Sequence, residues 1–263
     1  MDLKLKDKLI LVTGSTSGIG KAIAKELLAE GARVVINEPD AGNVQKAGDE
    51  LSALGRVYMA PGDLSSMEGA QVVIDAVESF GDLDVLVNNA GVYWASSFES
   101  CTDEEWFKMF NINLFSMVRL CRYFLPKMLK RGSGKILCSA SEVAIKPLPT
   151  FPHYCASKAA VMNLARSMAE LTKGTKVTVN CLLPGPTWTE GTAEYQTGVA
   201  KSKGMTIEEH VEDYFDNFDP TSLVRRWVDP REIATTVAYY CSELSSATNG
   251  ASIRMEGGLI RSI

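Results

Sequence analysis

The run Thr13-Gly14-Ser15-Thr16-Ser17-Gly18-Ile19-Gly20 sets three glycines between an apolar run and a stretch of helical period. In such a turn Gly14 reverses the chain without a Cβ clash, Gly18 lets backbone approach a pyrophosphate, and Gly20 lets helix pack on strand. The helix N-terminus adds free N–H groups and partial positive charge. The chemistry this spacing suits is phosphate binding, although a glycine turn with no ligand has the same letters. A P-loop is excluded, because five residues separate Gly14 from Gly20 and Ala22, not a hydroxyl residue, follows Lys21. Eighteen residues after Gly20 stands Glu38, with no Lys or Arg at 15–17 or 37–39. An acid there accepts from both ribose hydroxyls of NAD and repels the 2′-phosphate of NADP; otherwise Glu38 is a solvated turn residue. Farther on, Tyr154 and Lys158 stand four apart in a helical stretch and share a face, a phenol beside an ammonium.

The elements that must hold these groups alternate. Strand-like apolar runs are read at Lys8–Thr13, Arg33–Asn37, Arg56–Ala60, Asp84–Asn88, Lys135–Ser139, Lys176–Leu182 and Ala251–Met255. Helical period marks Ile19–Glu30, Asp40–Leu54, Met67–Phe80, Thr102–Lys130, Phe151–Leu171 and Pro230–Cys241. Thr102 and Glu105 have capping-box spacing. Strand–helix alternation with continuously apolar strands predicts an α/β fold, a three-layer, Rossmann-type, doubly wound parallel sheet of about seven strands. One domain over 1–263 accounts for the whole pattern. The exception is Pro184 to Pro220, about 37 residues holding Gly191, Gly198 and Gly204. So long an excursion reads as a substrate lid, with a helix over Ile207–Phe218 as its moving piece.

Taken in order, these motifs resemble the short-chain dehydrogenase/reductase family in its single-domain subgroup. The resemblance covers nearly the whole chain and rests on TGSTSGIG at 13–20, Asp63-Leu64, NNAG at 88–91, Asn113, the arrangement of Ser141, Tyr154 and Lys158 as S-x12-Y-x3-K, and Pro184-Gly185. It implies a nicotinamide cofactor, NAD rather than NADP, held by Gly14, Ser15, Ser17, Gly18, Ile19, Gly20 and Glu38. Asp63 and Leu64 would meet the adenine, and Asn89, Ala90 and Gly91 the ribose and nicotinamide side. Pro184, Gly185, Thr187 and Thr189 would meet the carboxamide and phosphates, with Tyr154 and Lys158 also touching the cofactor. The implied catalytic set is Asn113, Ser141, Tyr154 and Lys158. Tyr154 moves the proton, Ser141 holds the same oxygen, Lys158 lowers the phenol pKa and binds the ribose, and Asn113 holds a water. Bringing a phenol from near 10 to about 7 requires roughly 4 kcal/mol. The activity implied is hydride transfer between NAD(H) and a secondary alcohol or ketone. The alternatives are a catalytically silent dinucleotide-binding protein and a lyase or isomerase of the same fold.

Ser139 lies two residues too early to be the family serine. Cys155 reads as a packing residue, and His153 as pocket wall or surface. Glu142 is either a solvated loop acid or a contact to a polar substrate. Tyr93, Trp94, Trp188, Tyr195, Tyr214, Phe215 and Phe218 either face a ring-bearing substrate or pack the lid on the body.

The 263 residues carry 27 Lys+Arg against 32 Asp+Glu, a net charge of −5, which disfavours nucleic acid as a partner. No apolar run reaches the length of a membrane span or secretory signal. Six scattered cysteines without CxxC read as reduced thiols of a cytoplasmic protein, and two histidines supply no metal site. The partner implied is a small alcohol or ketone. The resemblance also implies a homotetramer or homodimer built on the helices at 102–130 and 151–171, the first of which carries apolar residues on more than one face.

Overall fold

A computed structural model describes residues 1–263. It has seven strands, β1 (Leu9–Thr13), β2 (Arg33–Asn37), β3 (Arg56–Met59), β4 (Val85–Asn88), β5 (Ser133–Ser139), β6 (Lys176–Pro184) and β7 (Ser252–Met255). They form one parallel sheet in the order β3-β2-β1-β4-β5-β6-β7. The helices are α1 (Gly18–Ala29), α2 (Ala41–Ser52), α3 (Met67–Phe80), α4 (Asp103–Phe110), α5 (Ser116–Arg131), α6 (Pro152–Glu170), α7 (Glu190–Ser202), α8 (Ile207–Asp213) and α9 (Pro230–Cys241). The doubly wound parallel sheet expected from the alternation is present.

Strand side chains alternate between two cores. Leu9 and Leu11 of β1 join the apolar faces of α3, α5 and α6, whereas Ile10 and Val12 join those of α1, α2 and α9. Burial on both faces explains the uninterrupted apolar runs. The strand order reverses between β1 and β4, so the loops leaving their C-terminal ends diverge and open a crevice.

Two elements depart from the sequence reading. The helix expected over Thr102–Lys130 begins at its Thr102–Glu105 capping box but is broken by a π-helical turn at Asn111–Phe115. Such turns insert an extra residue and re-aim a side chain; here the turn carries Asn113. The long excursion after β6 is mostly helical. Besides α8 and a π-helical turn at Tyr214–Phe218, where a helix was expected, it holds α7, which was not. Thr189 caps α7 by accepting from Thr192 N at 3.2 Å. That cap offsets part of the cost, roughly 1 kcal/mol each, of Gly191 and Gly198 inside the helix.

Candidate active site

The crevice begins at the glycine turn. Thr13 Oγ1 accepts from both Asn89 N and Ala90 N at 2.9 Å, tying the exits of β1 and β4 together. Gly14 has φ +59°, and a Cβ there would stand 2.9 Å from Ala90 Cα. A Cβ on Gly20 would fall 2.0 Å from Gly14 O and 2.6 Å from Asn89 Nδ2. The turn therefore closes only with glycine at both positions. Asn89 Nδ2 donates to Thr13 O and Gly14 O at 3.1 Å, so this amide holds the turn in shape. Ser17 caps α1 without a side-chain bond, so its own side chain satisfies none of the helix N–H groups that can hold an anion.

Ser15, expected among the cofactor residues, does not present its hydroxyl to the cleft. It is fully buried, its hydroxyl donating to Val12 O at 2.7 Å and accepting from Asn37 N at 3.0 Å. Its side chain joins β1 to β2 and faces away from the cleft. Thr16, Ser17, Ile19 and Gly20 line the cleft with Gly14. Gly18 N donates to Glu190 Oε2 of α7 at 3.3 Å, and a Cβ on Gly18 would meet Thr189 at 3.4 Å, so the start of α7 lies over the glycine turn.

Glu38 lines the crevice at the end of β2, one carboxylate oxygen accepting from Asp40 N at 3.0 Å. The sequence windows beside it hold no cation, but the fold brings Lys21 and Lys46 into the same wall from α1 and α2. Lys21 pairs with Glu50 at 2.5 Å. Asp63 and Leu64 follow β3 in the same wall, Asp63 Oδ1 accepting from Ser65 N at 2.8 Å. Arg119 of α5 pins this loop, donating to Leu64 O at 2.9 Å.

At the other end, Asn113 is buried and its amide is engaged on both sides. Oδ1 accepts from Val92 N at 2.8 Å; Nδ2 donates to Val92 O at 3.0 Å and to Ser157 Oγ at 3.1 Å. Lys158 is buried beneath it on α6, Nζ donating to Ser139 O at 2.8 Å and lying 5.8 Å from the Tyr154 ring centroid. A Cβ on Gly91 would stand 3.2 Å from both Asn113 Oδ1 and Lys158 Nζ. With Ala90, Gly91 is thus the floor on which this cluster meets the nucleotide end. Ser141 follows β5, its hydroxyl donating to Glu142 Oε2.

Burial opposes charge throughout this cluster. It lowers the Lys158 pKa to about 8. It raises the Tyr154 phenol well above 10, with Glu142 adding to the rise and the Ser141 hydroxyl opposing it. It pushes Glu142 up to about 7. Cys155 is also raised by burial and accepts from Leu148 N at 3.3 Å, the environment of an inert packing thiol. Ser139, as expected, ends the strand.

Pro184 closes β6. Gly185 packs so tightly that a Cβ would lie 2.6 Å from Glu256 Cα. Thr187 and Thr189 line the cleft, but Thr187 donates to Gly185 O at 2.8 Å and Thr189 caps α7. Of the aromatics in the excursion after β6, Trp188, Tyr214 and Phe215 gather on Trp227, with ring centroids 5.0, 4.6 and 5.0 Å from it. Trp227 had no signal in the sequence, since it lies beyond the excursion. Trp94 packs on buried His153 at 5.0 Å, making that histidine part of the wall's backing. Tyr93 stays 62% exposed and lies 5.7 Å from the Tyr154 ring.

The cleft joining these groups has a volume of about 1960 Å³. A pocket for a single small ligand measures roughly 300–1,000 Å³. The glycine cradle, the α1 N-terminus and this volume fit a dinucleotide together with a second molecule.

The model of the short chain dehydrogenase family matches residues 8–200, and the chain belongs to that family of nicotinamide-dinucleotide oxidoreductases. It is 49% identical over its full length to the whole of an uncharacterized oxidoreductase, YvrD, of Bacillus subtilis (strain 168). It is 31% identical to a D-beta-hydroxybutyrate dehydrogenase of Rhizobium meliloti, over 95% of this chain and 98% of that one. Among solved structures, the L-sorbose reductase of Gluconobacter frateurii complexed with NADPH and L-sorbose superposes with a TM-score of 0.94 at 30% identity, covering both chains fully. A 3-oxoacyl (acyl-carrier-protein) reductase of Agrobacterium tumefaciens C58 with NADP bound superposes at 0.88 and 28% identity, over 97% of this chain and 95% of that one. No helix is long and apolar enough to cross a membrane, and no cluster of His, Cys, Asp or Glu is arranged to hold a metal.

Proposed function

We propose that this protein transfers hydride between NAD(H) and a secondary alcohol or its ketone, with Tyr154 as the proton-transfer group. The observation that carries the reading is that Asn113 and Lys158 close on Gly91, with Lys158 Nζ 5.8 Å from the Tyr154 ring and Ser141, Tyr154 and Lys158 lining the same cleft as the glycine turn. The nicotinamide supplies hydride acceptor and donor when bound, and the protein orients it. Tyr154, kept protonated by burial, gives its proton to a carbonyl oxygen when the ketone is reduced, and its phenolate form takes the proton when an alcohol is oxidised. Ser141 donates a hydrogen bond to that oxygen and holds it against the phenol. Lys158 places positive charge beside the ring, which opposes the upward push of burial. Asn113 keeps the loop after β4 fixed on α6 through Val92 and Ser157.

The Tyr154→Phe variant tests this. Loss of one hydroxyl leaves packing intact, so dinucleotide affinity stays within about threefold while kcat falls by roughly three powers of ten. Retention of most of the activity removes Tyr154 from the reaction.

Glu38 supports NAD as the preferred cofactor, because its carboxylate stands at the end of β2 where the adenosine ribose lies in this class of fold. The two solved relatives with a cofactor carry NADPH and NADP, which counts against that preference. Lys46, in the same wall, works against the preference. Glu38→Ala weakens discrimination between NADH and NADPH by about tenfold, and Lys46→Ala sharpens it, as read by fluorescence titration. Tighter binding of NADPH to the unmodified protein overturns the role given to Glu38.

A further inference from the structure

Hydride transfer leaves Glu142 without a task. It opens the short 3₁₀ turn Glu142–Ala144 directly after Ser141, is 9% exposed, and lies in the wall of the cleft with Tyr154. A carboxylate buried to this degree is ordinarily paired with a cation. Here the nearby cations are taken. Lys146 is ion-paired with Asp219, whose other oxygen accepts from the Tyr214 hydroxyl at 3.0 Å. Lys158 is bonded to Ser139 O. Glu142 forms no ion pair, and its side chain accepts only from Ser141 within the protein. A carboxylate offers about four lone-pair positions, so acceptor capacity is left beside the reacting groups. Burial raises its pKa to about 7, a sign of how little the surrounding residues compensate its charge.

We propose that Glu142 is a specificity residue that accepts the hydroxyl on the carbon next to the reacting carbinol, so that this site takes vicinal diols and α-hydroxy ketones in preference to simple alcohols and ketones. The inference rests on the hydride-transfer reading above. In that reading Ser141 turns its hydroxyl proton from Glu142 to the reacting oxygen, which leaves the adjoining Glu142 carboxylate in the same wall without that donor. The donor one carbon along the substrate meets it there. A simple alcohol desolvates the carboxylate and offers it no donor. A site built to bond a substrate hydroxyl rejects the analogue lacking it far more strongly than an apolar pocket rejects a missing methylene.

The test uses the full chain with both NAD(H) and NADP(H) on matched pairs: 2,3-butanediol against 2-butanol, trans-1,2-cyclohexanediol against cyclohexanol, and acetoin against 2-butanone. The unmodified protein is expected to favour the hydroxylated member of each pair by about 100-fold in kcat/KM. In Glu142→Ala that ratio collapses toward one, mainly through KM for the hydroxylated member. The near-isosteric Glu142→Gln keeps an acceptor oxygen and retains a larger share of the ratio, which separates lost recognition from a disturbed fold. An unmodified protein without the preference, or variants that lose both members of a pair equally, overturns the role of Glu142. Turnover of the simple alcohols alone also overturns it, and leaves hydride transfer standing. No dinucleotide-linked turnover across the panel counts against hydride transfer and takes this inference with it.

Discussion

The residues around the reacting end are held in states that water would not favour, and that leaves a trace in stability. Burial raises Glu142 from 4.5 to about 7 in the folded chain. The folded state therefore binds this proton more tightly than the unfolded one. Stability falls as pH rises from about 4.5 to about 7, and the full penalty, at most about 3 kcal/mol, is present above that. Lys158, lowered to about 8, contributes in the opposite sense, with stability rising from pH 8 toward its ordinary value near 10.5. Glu142→Gln is then expected to melt several degrees higher than the unmodified ligand-free protein at pH 8, with a smaller difference at pH 5. A difference independent of pH in thermal melts rejects the buried-charge account. At this scale the sequence was legible where residue type and spacing act together, as with Tyr154 and Lys158 on one face of α6. It was not legible where a side chain has two sides to choose from. Ser15 sits in the phosphate turn by number, yet its hydroxyl turns inward to Val12 and Asn37. Lys21 and Lys46 reach the cleft wall from positions just outside the windows that were read beside Glu38.

Among the elements, the excursion after β6 is where periodicity misled. Gly191 and Gly198 stand in a stretch where no helix was expected before Ile207, but a cap at Thr189 and open space around both glycines let α7 form across them. The π-helical turn at Asn111–Phe115 was equally hidden, because one inserted residue leaves the apolar pattern of α4 and α5 nearly continuous. The helix α7 also bears on cofactor entry. Its first residue, Glu190, sets a carboxylate on Gly18 N at 3.3 Å, at the N-terminus of α1 where a phosphate would bind. Two anions do not share that position, so binding requires Glu190 to leave. Glu190→Gln removes the competing charge and is expected to tighten NADH by about threefold, within the roughly 0.3–1 kcal/mol of a charge at a helix end. An unchanged or weaker affinity by fluorescence titration shows that Glu190 does not guard the site. If the segment is a lid, amide exchange across 186–219 slows when NADH and a substrate analogue are added together. Equal, strong protection with and without them shows a rigid wall instead.

At the level of the whole molecule, the sheet and its two cores were legible because a parallel sheet covered on both faces writes itself as apolar runs at regular intervals. What one chain does not account for is its remaining apolar surface. Several residues of the first long helical region that read as excess apolar surface are satisfied internally: Leu120 and Cys121 are buried in the core shared with α3 and α6. Phe107 and Phe115 are not, remaining 73% and 44% exposed, and Leu171 just after α6 is 63% exposed. These lie on the side of the sheet covered by α5 and α6, where the family resemblance sets subunit contacts. Leaving aromatic side chains in water forfeits about 25 cal/mol for each Å² that a partner would cover. A second copy packing these helices against their equivalents by two-fold symmetry buries the same residues on both chains at once. The protein is therefore expected to be a homodimer or homotetramer at micromolar concentration, and the double variant Phe107→Glu, Phe115→Glu to shift toward smaller species while the monomer keeps its fold. Light scattering joined to size-exclusion chromatography reads both outcomes. A monomeric unmodified protein rejects assembly through these helices, and an unshifted oligomer in the double variant moves the interface elsewhere.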